Sequence, residues 1–228
     1  MISVSRNSYQ DDLDRLRSDV LTMSDLVCDR LRLALDAFES RDGELAQRVV
    51  TGDHEINDQY LDIEGDCIDL LALQQPVASD LRFVVASFKI ITDLERIADL
   101  ATNLAQYTLD ADRVRFPEID AVRIGEATVE MVEDAAVAYA EGDGATPREI
   151  AARDDEIDDR CRRANEVVVR NLLSAGVAVD APESVEPVLA DVSRVLLTIR
   201  DLERVGDHAV NIAARTLYMV ENDDELLY

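Results

Sequence analysis

Apolar residues recur along this chain at alternating spacings of three and four, the period of helices that bury one stripe. From Ser8 to Glu39 the stripe runs Leu13, Leu16, Val20, Met23, Val27, Leu31, Ala34 and Phe38, which predicts one long helix with a coiled-coil-like seam. Core packing suffices to explain that seam. The same period predicts a second helix over Glu44 to Leu73 and a third from Pro76, a residue suited to a helix start, to Leu109. A second set follows over Ile119 to Ala140, Thr146 to Ser174 and Pro182 to Val220, punctuated by GDGATP and AGVAVDAPES. No stretch alternates as a strand does. Long helices with short connections become antiparallel neighbours, so the pattern predicts an all-α chain of two tandem three-helix bundles. Arg113 to Glu118, with Pro117, is the expected link, placing one bundle in residues 1–112 and the other in 113–228. The acidic tail ENDDELLY is expected to fray.

The two sets of helices are copies. DLERIADLATNLA, Asp93 to Ala105, returns as DLERVGDHAVNIA, Asp201 to Ala213, with eight of thirteen positions identical at a spacing of 108. Upstream, AFESRDGELAQRVVTGDHEIND from Ala37 aligns at a spacing of 101 with AYAEGDGATPREIAARDDEIDD from Ala138. Asp53/Asp154, Glu55/Glu156 and Ile56/Ile157 are kept, and one loop absorbs the difference in spacing. An internal duplication lets every argument be run twice.

Composition changes the picture in two respects. At 228 residues and 47% hydrophobic the chain can bury a real core, and no apolar run approaches the roughly 20 residues that span a bilayer. The opening MISVSRNSYQDD lacks the apolar core of a signal peptide, so a cytoplasmic location without membrane insertion is expected. Three cysteines, Cys28, Cys67 and Cys161, lie far apart without CxxC spacing and read as small helix-packing residues. The second respect is charge. The chain carries 49 acidic against 23 basic residues, a net −26, and Lys89 is its one lysine. An acidic coat poor in lysine suits a halophilic cytosol, where molar salt screens self-repulsion within a few ångströms. The rival explanation is a surface that binds cations or basic partners. Either way, direct nucleic-acid binding through phosphate neutralisation is disfavoured.

Candidate chemistry sits beside the third and sixth apolar stripes. Leu94, Ile97, Ala98, Ala101, Leu104 and Ala105 form one stripe, and Glu95, Asp99 and Asn103 fall beyond one edge of it, each a turn from the next. Glu203, Asp207 and Asn211 repeat the arrangement. Like charges at i,i+4 repel by a few tenths of a kcal/mol unless a cation lies between them, so their presence in both copies calls for a cause. Asp53 lies about as far before the connection near Gln75 as Glu95 lies after it, so an antiparallel hairpin brings the two level. Asp53 with Asn57, and Asp154 with Asp158, would complete four oxygen-bearing side chains in each bundle. Such sets suit hard or borderline cations: Mg, Ca, Mn or Fe. The bland alternative is an ordinary acidic face balanced by Arg96, Arg204 and solvent. A di-iron oxygenase is disfavoured because no Glu-x-x-His pair occurs. His54 and His208 are the only histidines; Leu100 is the counterpart of His208, which is expected to face solvent or form a hydrogen bond. No nucleophile elbow, phosphate-cradling glycine loop or HExxH is visible, which argues against an enzyme.

QQPVASDLRFVVASFKIITDLERIADLA, Gln74 to Ala101, with DHEIND, DDEIDD and DLERVGDHAVNIA, resembles the PhoU family of phosphate-signalling proteins over most of the chain. The resemblance implies tandem three-helix bundles whose paired acidic motifs bind divalent metal (iron, manganese, magnesium or zinc) through Glu95, Asp99, Glu203 and Asp207. Asp53, Asn57, Asp154 and Asp158 are additions from geometry. It further implies a non-catalytic adaptor that restrains a Pst-type phosphate ABC transporter through its nucleotide-binding subunit, and in bacteria links it to a sensor kinase. Ala98 and Leu100 depart from the family motif, where glycine and a polar or small residue are usual, so the first metal site is expected to be the weaker. The acidity suggests a haloarchaeal relative, and uncovered apolar faces suggest a homodimer. Two rivals stand against the adaptor: a carboxylate metalloenzyme, such as a phosphohydrolase or oxidase, and a structural metal-buffering bundle.

A net charge of −26 on so small a chain is held compact only when screened or cation-bound. The melting temperature is therefore expected to climb between low and molar salt, and a flat calorimetric profile would remove the halophilic reading.

Overall fold

The computed structural model describes residues 2–110, 120–174 and 182–227, with side chains over 9–110, 120–173 and 188–227. Seven helices follow in order: α1 (Ile2–Ser40), α2 (Gly43–Thr51), α3 (Asp53–Gln74), α4 (Ser79–Asp110), α5 (Ala121–Glu141), α6 (Thr146–Ser174) and α7 (Pro182–Glu221). No strand forms among the described residues. The expected link at Arg113 to Glu118, the boundary at 112/113, Ile119 and most of AGVAVDAPES lie outside them.

Local chemistry sets the helix ends. The Asp42 carboxylate accepts from the Glu44 and Leu45 N–H groups at 2.9 and 3.1 Å and starts α2. Asp120 caps α5 by accepting from the Arg123 N–H at 3.1 Å, and Gly142, at φ 67°, ends it. α4 begins at Ser79 rather than at Pro76, because Gln75 and Ala78 both hold left-handed conformations that turn the chain first.

The second predicted helix is two helices. Gly52 separates α2 from α3, and a Cβ there would collide with the Arg30 guanidinium of α1, which bonds the Glu55 carboxylate at 3.0 Å. The counterpart of Gly52 in the second copy is Arg153, and α6 runs through unbroken. There the polarity reverses: Arg153 reaches across to Glu130 and Asp134 on α5. Both copies thus tie the first helix to the second with an ion pair, and only the copy that takes its arginine from the first helix needs the glycine.

α1 packs on α4, α4 on α7, α7 on α5 and α5 on α1, closing a central four-helix ring. α2 and α3 flank the α1/α4 side, and α6 flanks the α5/α7 side. The two predicted bundles therefore share one continuous core, filled by residues such as Leu16, Met23, Ile91 and Leu104 from one copy and Met131, Ile199 and Ile212 from the other. Phe83 of α4 stacks on Tyr139 of α5, with ring centroids 5.8 Å apart. Ser87 Oγ donates to the Phe83 carbonyl at 2.8 Å, so its lone pair accepts the Tyr139 hydroxyl at 2.7 Å.

The tail is not frayed. Arg148, near the start of α6, bonds Glu221, Asp223 and Glu225, and Asn222 ends α7 in a left-handed conformation. One guanidinium offers enough donors to gather three carboxylates that would otherwise repel. Cys28, Cys67 and Cys161 are buried, and burial pushes each thiol up to about 12, the behaviour of inert packing residues. Among the described residues no helix is long and apolar enough to cross a membrane.

Gly125 of α5 meets Leu35 of α1, whose side chain occupies the place a Cβ would take. Gly125→Val is therefore expected to overpack the joint between the copies and cost about 1–3 kcal/mol in denaturant unfolding. Unchanged stability would mean that the two bundles are not pressed together there.

Candidate functional site

In the second copy, Ile150, Ile157, Cys161, Ala164 and Val168 bury one stripe of α6, and Asp154 and Asp158 stand beside it where α6 runs along α7. Gly206 of α7 makes this approach possible: a Cβ there would lie 2.6 Å from Asp154 Oδ1. That oxygen is buried and, among the described residues, has no hydrogen-bond donor. Burial first, then the charges of Asp158, Asp207, Asp155 and Glu203, push the Asp154 carboxyl up to about 7. Glu203 and Asp207 are raised as well, by burial and then by Asp158; Arg162 opposes the rise at Glu203, and His208 and Arg204 oppose it at Asp207. The four residues singled out in the sequence thus act on one another as a group.

The first copy brings its four together differently. Asn57 Nδ2 donates to Asp53 Oδ2 at 3.0 Å, and Thr102 Oγ1 donates to Asp53 Oδ1 at 3.1 Å. Asp53 therefore lies level with Thr102, about two turns beyond Glu95. The connector consumes Gln75 to Ala78, so the level point falls later than a count from Gln75 alone suggests. Burial raises Asp99, with Asp53 adding to it; burial raises Glu95, followed by Asp99 and Asp53, while Arg96 and His208 oppose. Asn103 is exposed, and Asn211 donates to Asp93 at 3.4 Å instead of joining its cluster. Among the described residues no three His, Cys, Asp or Glu side chains are already drawn into metal-ligand geometry.

The copies differ where it matters for a cation. Ala98 replaces Gly206, and Asp53 is satisfied by Asn57 and Thr102, whose counterparts are Asp158 and Val210. The second cluster keeps an extra carboxylate and a buried acceptor without a donor. An orphaned carboxylate oxygen among three further carboxylates fits a divalent cation better than a water or a neutral donor.

Between the clusters runs a polar seam that the sequence reading missed. His208 of α7 bonds Asp93 of α4, Nδ1 to Oδ1, at 2.8 Å, and both are buried. Symmetrically placed, the Tyr107 hydroxyl of α4 donates to Asp201 Oδ2 of α7 at 2.9 Å, and Arg200 holds the other oxygen at 2.7 Å. Leu100, the counterpart of His208, cannot donate, so Tyr107 takes over. The available signal was the aspartate that opens each DLER run, four residues before Ile97 and Val205 and hence on the apolar stripe itself. His54 stays at the surface, its Nδ1 2.9 Å from the Thr51 carbonyl.

The raised Asp154 carboxyl makes stability depend on pH in a defined direction. Below about 4 it is protonated folded or unfolded; from there to about 7 only the folded chain keeps the proton, so its stabilising contribution is lost as pH rises through that window. In chelator, stability is expected to decline from pH 4 to 7, and Asp154→Asn should flatten the decline. An equal slope in the variant, read from denaturant melts, would contradict the assignment.

A sequence profile of the PhoU domain matches residues 20–108 and again residues 121–216. The phosphate-specific transport system accessory protein PhoU homolog of Pseudomonas putida is 33% identical over 219 residues, 95% of this chain and 82% of that protein. The accessory protein PhoU of Escherichia coli K12 is 29% identical over 95% of this chain and 86% of its own length. Among solved structures, PhoU from Pseudomonas aeruginosa superposes with a TM-score of 0.83 at 31% identity, covering 94% of this chain and 100% of that one. The phosphate transport system regulatory protein PhoU from Streptococcus pneumoniae superposes with a TM-score of 0.84 at 26% identity, covering 94% and 98%. Matched in both copies and along nearly its whole length, the chain belongs to the PhoU family.

Proposed function

We propose that this chain is a PhoU-type accessory protein of phosphate-specific transport: a metal-binding, non-catalytic adaptor that restrains a phosphate ABC transporter through its nucleotide-binding subunit. The observation that carries the reading is likeness, over 95% of the chain, to proteins named as accessory proteins of phosphate-specific transport. The rival metalloenzyme has no comparable support among these relatives, which are named as accessory proteins.

In the second copy, Asp154, Asp158, Glu203 and Asp207 would hold the cation, with Gly206 leaving Asp154 room to reach it. In the first, Glu95, Asp99 and Asp53 would do so, with Asn57 and Thr102 keeping Asp53 in place. A bound divalent cation supplies the positive charge that offsets repulsion among carboxylates already resisting ionisation. Arg96, Arg162 and Arg204 ease the same repulsion from the rim. His208 and Asp93 join α7 to α4 between the two clusters, so closing either cluster bears on the helix pair that carries both. The output is a protein surface, read from exposed faces of long helices.

Elemental analysis of chelator-free protein is expected to find divalent metal, and Glu203→Ala with Asp207→Ala should remove the second-site share in calorimetric titration. Gly206→Ala, which imitates Ala98, should weaken that site. Unchanged stoichiometry in the double variant would refute the metal assignment alone. Separately, the nucleotide-binding subunit of the phosphate transporter is expected to co-purify with the chain, and deleting the gene should misregulate phosphate uptake. Normal uptake and starvation response, with no close paralogue present, would refute the adaptor reading.

A further inference from the structure

In a chain with more than two acidic groups for each basic one, arginines facing one another are unexpected. Three do so between α5 and α6. Asp120, Arg123, Ile124, Arg160, Arg163, Ala164 and Val167 line a groove of about 420 Å³. Arg160 and Arg163 stand one turn apart on α6, and Arg123 enters from the first turn of α5. Among the described residues Arg123 and Arg163 have no ion-pair partner, and Arg160 has only Glu156 at 3.9 Å, too long for a hydrogen bond. The one carboxylate of the lining, Asp120, is already engaged in capping α5. Three arginines against one aspartate leave the lining at +2 in a protein of net charge −26, while Arg123 and Arg160 also border a neighbouring groove that holds Glu126, Glu130 and Glu156.

The duplication serves as an internal control. At the spacing of 101, Arg123, Arg160 and Arg163 correspond to Thr22, Gln59 and Asp62, while Asp120 corresponds to Asp19. The first copy folds its matching helices with no such arginines, so the fold itself does not require them. The groove also lies apart from the carboxylate cluster: Arg160 follows Asp158 by two residues, about 200° around α6, on its opposite flank.

We propose that this groove binds a small, multiply charged phosphate compound. Guanidinium groups match phosphate oxygens bidentately, and arginines arriving from two helices suit several phosphoryl groups better than one. At about 420 Å³ the groove is too large for a single phosphate ion and falls in the size range of sites for nucleotide-sized ligands. Ile124, Ala164 and Val167 supply an apolar wall beside the charges. Nucleoside triphosphates and inorganic polyphosphate share the recognised chemistry.

The test is calorimetric titration of the full chain, in chelator, with ATP, tripolyphosphate and a hexaglutamate peptide. ATP, tripolyphosphate or both are expected to bind: tripolyphosphate alone or equally well identifies the phosphate chain as the ligand, and ATP alone identifies a nucleotide. Arg123→Gln with Arg163→Gln should weaken binding about a hundredfold, since each of the two charge-assisted bonds lost is worth about one factor of ten. Arg162→Gln, outside the groove, and Asp207→Asn, in the carboxylate cluster, should leave it unchanged. Absence of binding, binding indifferent to the arginine pair, or hexaglutamate binding as tightly as tripolyphosphate would each overturn the proposal.

Discussion

The architecture depends on how α4 lies against α7. These helices carry the repeated DLER segments, close the central ring and present Glu95, Asp99, Glu203 and Asp207 to the two clusters. Apolar packing alone leaves their relative slide weakly defined, because one leucine replaces another at little cost. Buried polar pairs do not allow that freedom. Sliding the helices by one turn would part Asp93 from His208 and Asp201 from Tyr107, leaving the buried Asp93 carboxylate without its imidazole and Asp201 with Arg200 of its own helix alone. The seam thus fixes the register between two helices whose outer flanks must each meet a third, α3 on one side and α6 on the other.

Duplication supplied the symmetry, and single substitutions then divided the labour. Gly206 lets Asp154 press against α7 as an unsatisfied acceptor, whereas Ala98 accompanies an Asp53 already bonded by Asn57 and Thr102. The same logic appears at the first-to-second helix contact, where the arginine switches sides and takes the helix break with it. Arg123, Arg160 and Arg163 extend it, since one copy alone carries them.

Much of this was legible in the chain. The period of Leu13 to Phe38 marks α1, and the copied DLER and DxEI segments mark both the fold and the carboxylates, because side chains a turn apart must share a flank. What stayed hidden depends on partners distant in sequence. Gly52 reads as a tolerable glycine within a helix until Arg30 arrives from α1. Asp93 falls on the apolar stripe, but its partner stays hidden until His208 arrives from α7. The acidic tail reads as frayed because its one organiser, Arg148, lies some seventy residues earlier. The common closure of the two bundles into one ring was equally invisible, since periodicity reports that a stripe is buried and not which stripe it meets.

Lys89 is exposed on α4, the first copy's helix in the central ring, and no second lysine exists anywhere in the sequence. A reagent directed at lysine amines therefore has a single side-chain address. A dye, spin label or cross-linker placed there reports from the same helix that carries Glu95 and Asp99, without any cysteine having to be engineered or removed.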